Sequence, residues 1–197
     1  MQLFDFDAAF LDLNPAWNGR FGQWLFHPGM LFETRRKWWS GAGLRGTAHE
    51  GIDFCSVLTA EGTVCRIGPE DRFPAILPGR VALVLDDLLG QTLVLEHPEA
   101  PGDGWPLASL YAHARPVDAV QPGCLLQAGD PVVTVPPPKR SINGMHAHLH
   151  LSVIRVDPAR PLDQLDWRRI NARDGLQLES PFTWLTCRHR IEAMDLV

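Results

Sequence analysis

The chain lacks any apolar run approaching the ~20 residues that a membrane-spanning helix needs. It also lacks an excess of basic charge: Lys and Arg total 18 against 23 Asp and Glu, a formal net charge of −5. A general attraction to nucleic acid or anionic lipid is therefore not expected. The basic-aromatic run Arg35-Arg36-Lys37-Trp38-Trp39 is short and isolated, and reads as a packed surface turn rather than an RNA contact. The four cysteines, Cys55, Cys65, Cys124 and Cys187, show no CxxC spacing, which argues against a four-thiolate zinc site. They read as small apolar thiols, with a Cys55–Cys65 bridge conceivable only in an oxidising compartment. The start, MQLFDFDAAFLDLNPAW, is acidic and has neither a basic n-region nor a continuous h-region, so it does not read as a secretory signal peptide. That is compatible with a cytoplasmic protein, another export route, or a leader outside this sequence. Repeats of solenoid period and heptad runs are absent too.

What is present is punctuation. Among 197 residues there are 17 Gly and 17 Pro, a frequency that suits short strands joined by turns. Residues 1–45 form an aromatic-rich N-terminal extension, with Phe4, Phe6, Phe10, Trp17, Phe21, Trp24, Phe26, Phe32, Trp38 and Trp39, expected to pack on the rest of the chain. Short helices are expected near Asp7–Leu13 and Gly29–Trp38. From about Thr47 strands follow: Thr63–Ile67, then Arg80–Asp86 and Gln91–His97 as an antiparallel hairpin around Asp87-Leu88-Leu89-Gly90. Further strands are Trp105–His113, Cys124–Leu126, Val132–Val135 and His148–Val156. Pro136-Pro137-Pro138 forces an extended segment that cannot donate to a sheet. Residues 46–157 thus read as a compact, mainly antiparallel β domain. Residues 158–197 form a C-terminal extension with a short helix near Asp163–Ile170, Asp163 near its start.

The stretch Gly144–Val153, GMHAHLHLSV, carries His146, His148 and His150 at alternate positions. In a strand alternate residues share a face, so imidazoles would line one side while Ala147, Leu149, Leu151 and Val153 line the other. Grouped imidazoles disfavour each other's protonation and are natural metal ligands or acid–base groups. A second stretch, His49-Glu50-Gly51-Ile52-Asp53, sets a histidine and an aspartate four apart. A straight strand would separate their Cα atoms by ~13 Å at ~3.3 Å per residue, so a shared metal requires a bend, which Gly51 permits. Gly51 and Ile52 make a helix poor. His49 is therefore expected on a loop and Asp53 at a strand start. Two imidazole nitrogens and one carboxylate make a three-ligand set with a fourth position left for water, the pattern of a catalytic zinc site; manganese or iron would also suit such ligands. A third stretch, Leu110-Tyr111-Ala112-His113, ends an apolar strand in a histidine.

HEGID, LYAH and HLHLSV, in that order, resemble the lysostaphin-type zinc metallopeptidases, enzymes that hydrolyse peptide crosslinks or stem peptides in bacterial peptidoglycan. The resemblance covers roughly Gly46–Val156, where VQPGCLLQAGDPVVTV is similar to that family's compact β core, a lipoyl-like hammerhead. It implies that His49, Asp53 and His150 bind Zn2+ and that His113 and His148 are non-ligand catalytic histidines. It implies a peptide or peptidoglycan substrate and action in the cell envelope or outside the cell. There are two departures. The usual glycine lies two residues before the first histidine of the pair, whereas Gly144 lies four before His148, so a register using His146 and His148 is the alternative and His146 is left without a role. Ser152 stands where the family often has glutamate, which bears on support for the ligand His150. Glu50 is not the counterpart of the glutamate base of His-Glu-x-x-His enzymes. Two other functions compete: a non-catalytic binding or activator module on the same fold, and a zinc hydrolase of a non-peptidoglycan amide. Groove loops are expected at Glu70–Gly79 and Pro136–Asn143.

Overall fold

The computed structural model describes residues 2–39, 43–102, 104–137 and 145–193. Pro138 and the expected groove-loop residues 138–143 lie outside them, as does Gly144. The N-terminal region contributes β1 (Phe4–Asp5), α1 (Phe6–Leu13) and β2 (Phe21–Phe26). The middle of the chain forms β3 (Gly51–Phe54), β4 (Ser56–Thr59), β5 (Val64–Arg66) and β6 (Arg72–Pro74). Then come β7 (Gly79–Asp86), β8 (Gln91–His97), β9 (Leu107–Pro116), β10 (Leu125–Leu126), β11 (Pro131–Thr134) and β12 (Leu149–Val156). The C-terminal part holds α2 (Trp167–Ala172), β13 (Leu176–Glu179), β14 (Leu185–Thr186) and β15 (His189–Ile191). The protein is mainly β, and its sheets are antiparallel apart from the β1–β14 and β15–β2 pairs.

Two expected helices differ. Over Gly29–Trp38 only a 3-10 turn at Pro28–Met30 forms, because Pro28 and Gly29 suit a tight turn better than a continuing helix. The C-terminal helix starts at Trp167. Asp166, not Asp163, caps it by accepting from the Arg169 amide, and Asp163 sits in a separate 3-10 turn over Leu162–Gln164.

Helix α1 shows how the aromatic residues are spent. Its cap is the Asp5 carboxylate, which accepts from the Ala8 amide at 3.1 Å. Phe6 and Phe10, four apart, fall on one buried face. Phe6 stacks on Phe54 of β3 at 4.5 Å, and Trp24 of β2 meets Phe54 edge to face at 4.8 Å. The Trp24 indole N–H is satisfied by Asp7 at 3.0 Å, and Asp7 also accepts from Arg188. β2 pairs with β4 on one edge and β15 on the other. One cluster therefore contains Phe6, Phe10 and Trp24 together with Ile52, Phe54, Leu149 and Leu151.

The site is positioned by β12, which pairs with β9 along one edge and with β3, then β13, along the other. All eight residues of β12 are buried. Leu149, Leu151 and Val153 turn into the main core, while Ile154 and Val156 join a second cluster with Ala108 and Leu110 on the opposite face. The alternation expected for GMHAHLHLSV is present from Leu149 onward; His148 lies just before the strand rather than in it. All four cysteines are free, and only Cys55 is buried.

Candidate metal centre

Register brings the first residues together. His150 of β12 stands directly opposite Asp53 of β3 and, across its other edge, opposite Ala112 of β9. Directly opposed residues on one face have Cβ atoms only ~4.5–5.5 Å apart, close enough for their side chains to share an ion. His49 reaches the same point from the loop before β3, whose bend is pinned by paired backbone bonds, Glu33 N to His49 O at 3.0 Å and His49 N to Thr34 O at 2.9 Å. His49 Nε2 lies 3.0 Å from Asp53 Oδ1 and 2.9 Å from His150 Nδ1, and His150 Nδ1 lies 2.9 Å from Asp53 Oδ1. All three residues are buried.

The outer partners of the two rings suit this donor set to a cation. Leu31 O can only accept, so its 3.0 Å contact assigns the proton of a neutral His49 to Nδ1 and leaves Nε2 bare. His150 uses Nε2 for the Ser152 hydroxyl at 2.8 Å, which leaves Nδ1 to face the site. Nε2 of His49 is bare, and Nδ1 of His150 becomes so when its Nε2 donates to Ser152, so two imidazole nitrogens and a carboxylate oxygen converge where a cation can be held. A tetrahedral site with ~2.0–2.1 Å bonds keeps its ligand atoms ~3.3 Å apart, close to the separations present. Ser152 thus touches the His150 ring nitrogen that points away from the site. Burial alone raises the Asp53 carboxyl. The imidazoles of His49, His148 and His150 around it outweigh that burial and hold Asp53 well below the usual carboxylate range.

His148 and His113 flank the triad. His148 Nδ1 donates to the His146 carbonyl at 2.8 Å, which turns Nε2 toward Asp53 Oδ1 at 3.9 Å. Burial pushes His148 down to about 3, Asp53 opposing and His113 and His150 adding to the effect, so the ring is neutral at physiological pH. His146 belongs to no three-residue metal-capable group among the described residues; its carbonyl serves His148.

His113 arrives by a device that the sequence pattern hides. Gln91 pairs with Ala114 but Leu93 pairs with Tyr111, so Ala112 and His113 together oppose Thr92 in a β-bulge. His113 takes φ 61°, in the left-handed region. Strict alternation would put His113 on the core face with Tyr111, whose hydroxyl accepts from the Ile76 amide at 2.9 Å. The bulge reverses that parity. His113 reaches the site face, 5.0 Å from the His148 ring and 5.7 Å from His150 between centroids, and Ala114 turns into the core. Glu50 stands outside the group, with Oε1 3.5 Å from Thr47 Oγ1.

Several contributors were not apparent from the sequence. Asp87, read only as a turn residue, accepts from the Leu89 and Gly90 amides and the Thr92 hydroxyl, and binds His113 through both its amide (2.9 Å) and Nδ1 (3.1 Å). Trp167 of α2 stacks on His113 at 6.1 Å and donates its indole N–H to Thr92. Trp38 meets His148 edge to face at 4.9 Å and reaches Asp53. Only the cluster of turn residues around Asp87 was a usable signal in advance.

Burial raises the Asp87 carboxyl, but the hydrogen bonds and charge of His113 and the Thr92 hydroxyl outweigh it and leave it well below its ordinary value. A depressed carboxyl contributes its stability above the unfolded value of ~3.9 and loses it as pH falls through the folded value. The acid unfolding curve should therefore steepen below about pH 4, and Asp87→Asn should flatten that limb. An identical acid limb in the variant, followed by circular dichroism, would contradict the pairing.

No protein-family model matches the chain, and no curated protein matches it. Among solved structures it is similar to the catalytic domain of a variant of the prophage-encoded M23 protein EnpA from Enterococcus faecalis, at 20% identity and TM-score 0.43, covering 84% of this chain and 89% of that one. It is also similar to a putative peptidase M23 from Pseudomonas aeruginosa (19% identity, TM-score 0.37, 75% and 54% covered) and to lysostaphin (18%, TM-score 0.40, 69% and 43%). This chain thus spans about half of the second structure's length and under half of lysostaphin's. Likenesses at these identities say nothing of activity, which has to be argued from the residues of the site.

Proposed function

We propose that this chain is a zinc-dependent endopeptidase with bacterial peptidoglycan as its substrate, and that His49, Asp53 and His150 hold Zn2+ while His113 and His148 are catalytic. The observation that carries this reading is the convergence of two imidazole nitrogens and one carboxylate oxygen within 3.0 Å of one another in a buried setting. We assign the centre to residues 46–157, with 1–45 and 158–197 supplying Trp38 and Trp167 as flanking walls.

A zinc ion held there supplies Lewis acidity, which lowers the pKa of water toward ~7 and polarises a carbonyl. The chain's own residues divide the proton traffic. His148 is neutral and, with Nδ1–H committed to a backbone carbonyl, offers a bare Nε2 that can orient or accept a proton from the attacking water. His113 has an anion at its Nδ1, so positive charge on its ring is compensated by Asp87. It is therefore suited to hold a proton for the leaving amine or to stabilise the developing oxyanion. Trp167 and the bulge fix the plane of His113 before substrate arrives.

The test is hydrolysis of purified peptidoglycan and of glycine-containing peptides by the full chain. Turnover should disappear with a chelator and return with one equivalent of zinc. Zinc bound without turnover on either substrate would favour the non-catalytic module. Turnover on other amides alone would remove peptidoglycan from the proposal.

A further inference from the structure

The Asp53 carboxylate has two oxygens, and they face different surroundings. Oδ1 lies among His49 and His150. Oδ2 accepts from the buried Trp38 indole Nε1 at 2.6 Å and has Arg45 Nη2 at 3.4 Å. Both donors come from one small loop, tied by the Arg36–Leu44 bridge, by Lys37 N to Gly43 O and by Arg45 N to Arg35 O. Arg45 is held independently of Asp53: its Nη2 donates to Gly29 O at 2.8 Å and its guanidinium lies over the Trp39 ring at 4.5 Å. The loop is thus anchored before it touches the carboxylate.

An indole N–H can only donate, so Trp38 cannot itself be a ligand. A short bond from it to a buried carboxylate is charge-assisted, and directional in a way that a solvent contact is not. With Oδ2 held by Trp38 and Arg45, turning the carboxylate about its axis or closing on an ion with both oxygens would strain those contacts. We propose that Trp38 is a positioning residue of the metal centre. By holding Asp53 through Oδ2, it commits the carboxylate to ligation by Oδ1 alone, with Arg45 as a second donor. This rests on the assignment of His49, Asp53 and His150 as metal ligands. Single-oxygen ligation keeps the fourth position open, where a two-oxygen grip would crowd it. The same indole abuts His148, so one side chain sets both a ligand and a catalytic group.

Zinc affinity of the full chain, measured by competition with a chromophoric chelator, tests the idea with Trp38→Phe and Arg45→Gln. Phenylalanine keeps a ring beside His148 and deletes the N–H. Removing contacts that orient a ligand typically costs about 10–100-fold in metal affinity; that loss is expected for Trp38→Phe, and a smaller one for Arg45→Gln. A second measurement needs no variant: the Trp38 indole N–H resonance of the unaltered chain should move during zinc titration and stop moving at one equivalent. A purely structural tryptophan would leave that resonance fixed. A folded Trp38→Phe chain that binds zinc as tightly as the unaltered one, or an indole resonance that stays still while zinc is taken up, overturns this inference and leaves the metal centre standing. An unaltered chain that takes up no zinc overturns both.

Discussion

His150→Ala is expected to abolish zinc binding and peptide hydrolysis together, whereas His148→Ala should keep close to one equivalent of zinc and lose about 10²–10⁴-fold in kcat, the range of a lost acid–base group. The contrast follows from where each ring points. His150 Nδ1 is within 2.9 Å of both other candidate ligand atoms, and without it only two remain. His148 Nε2 stands 3.9 Å from Asp53 Oδ1, near the centre but outside the group of three. Metal content and turnover measured on the same preparations decide the matter. Should His150→Ala retain full zinc while His146→Ala loses it, the register is wrong and the pair is His146 and His148.

Gly51→Ala should be nearly as damaging, although it removes no functional group. A Cβ at position 51 would sit 2.7 Å from Ser152 Oγ and closer still to the Leu151 carbonyl oxygen, both on β12. Backbone atoms in a sheet cannot give way as a flexible side-chain end can, so β3 must move off β12. The expected cost is about 3 kcal/mol or more, the upper end for overpacking, and it falls on the pairing that sets Asp53 opposite His150. Thermal unfolding and zinc affinity should drop together. A variant with unchanged melting temperature and unchanged zinc affinity would show that the strands are not packed so closely.

Gly51 also shows what the sequence could and could not convey. A flexible residue in His-Glu-Gly-Ile-Asp suggests a bend, and His49 does lie on a loop with Asp53 in the strand that follows. Yet Gly51 is needed for close strand approach rather than for an unusual φ. Strand periodicity located β8, β9 and β12 to within a few residues, because alternation is a local property. It could not foresee the bulge at His113, since one extra residue leaves no mark on composition. It was equally silent on Trp38 and Trp167, and marked Asp87 only as part of a turn, because their roles depend on which segments meet. The aromatic N-terminal residues read as packing material, and Phe6, Phe10 and Trp24 are core residues; nothing in the local pattern set Trp38 apart from them.

The pairing of β12 with β3 and β9 has a consequence in time. His49 and His150 are 101 residues apart in the chain, and Asp53 and His150 are 97 apart. Closing loops of that length is slow relative to forming the β7–β8 hairpin, whose contacts are local. A nascent chain presents His49 and Asp53 long before His150 emerges, and two donors on a bent loop hold a cation weakly. Zinc capture would then mark the last stage of folding, when β12 seats between its neighbours. The rate of metal uptake during refolding would report completion of the central sheet, not its onset.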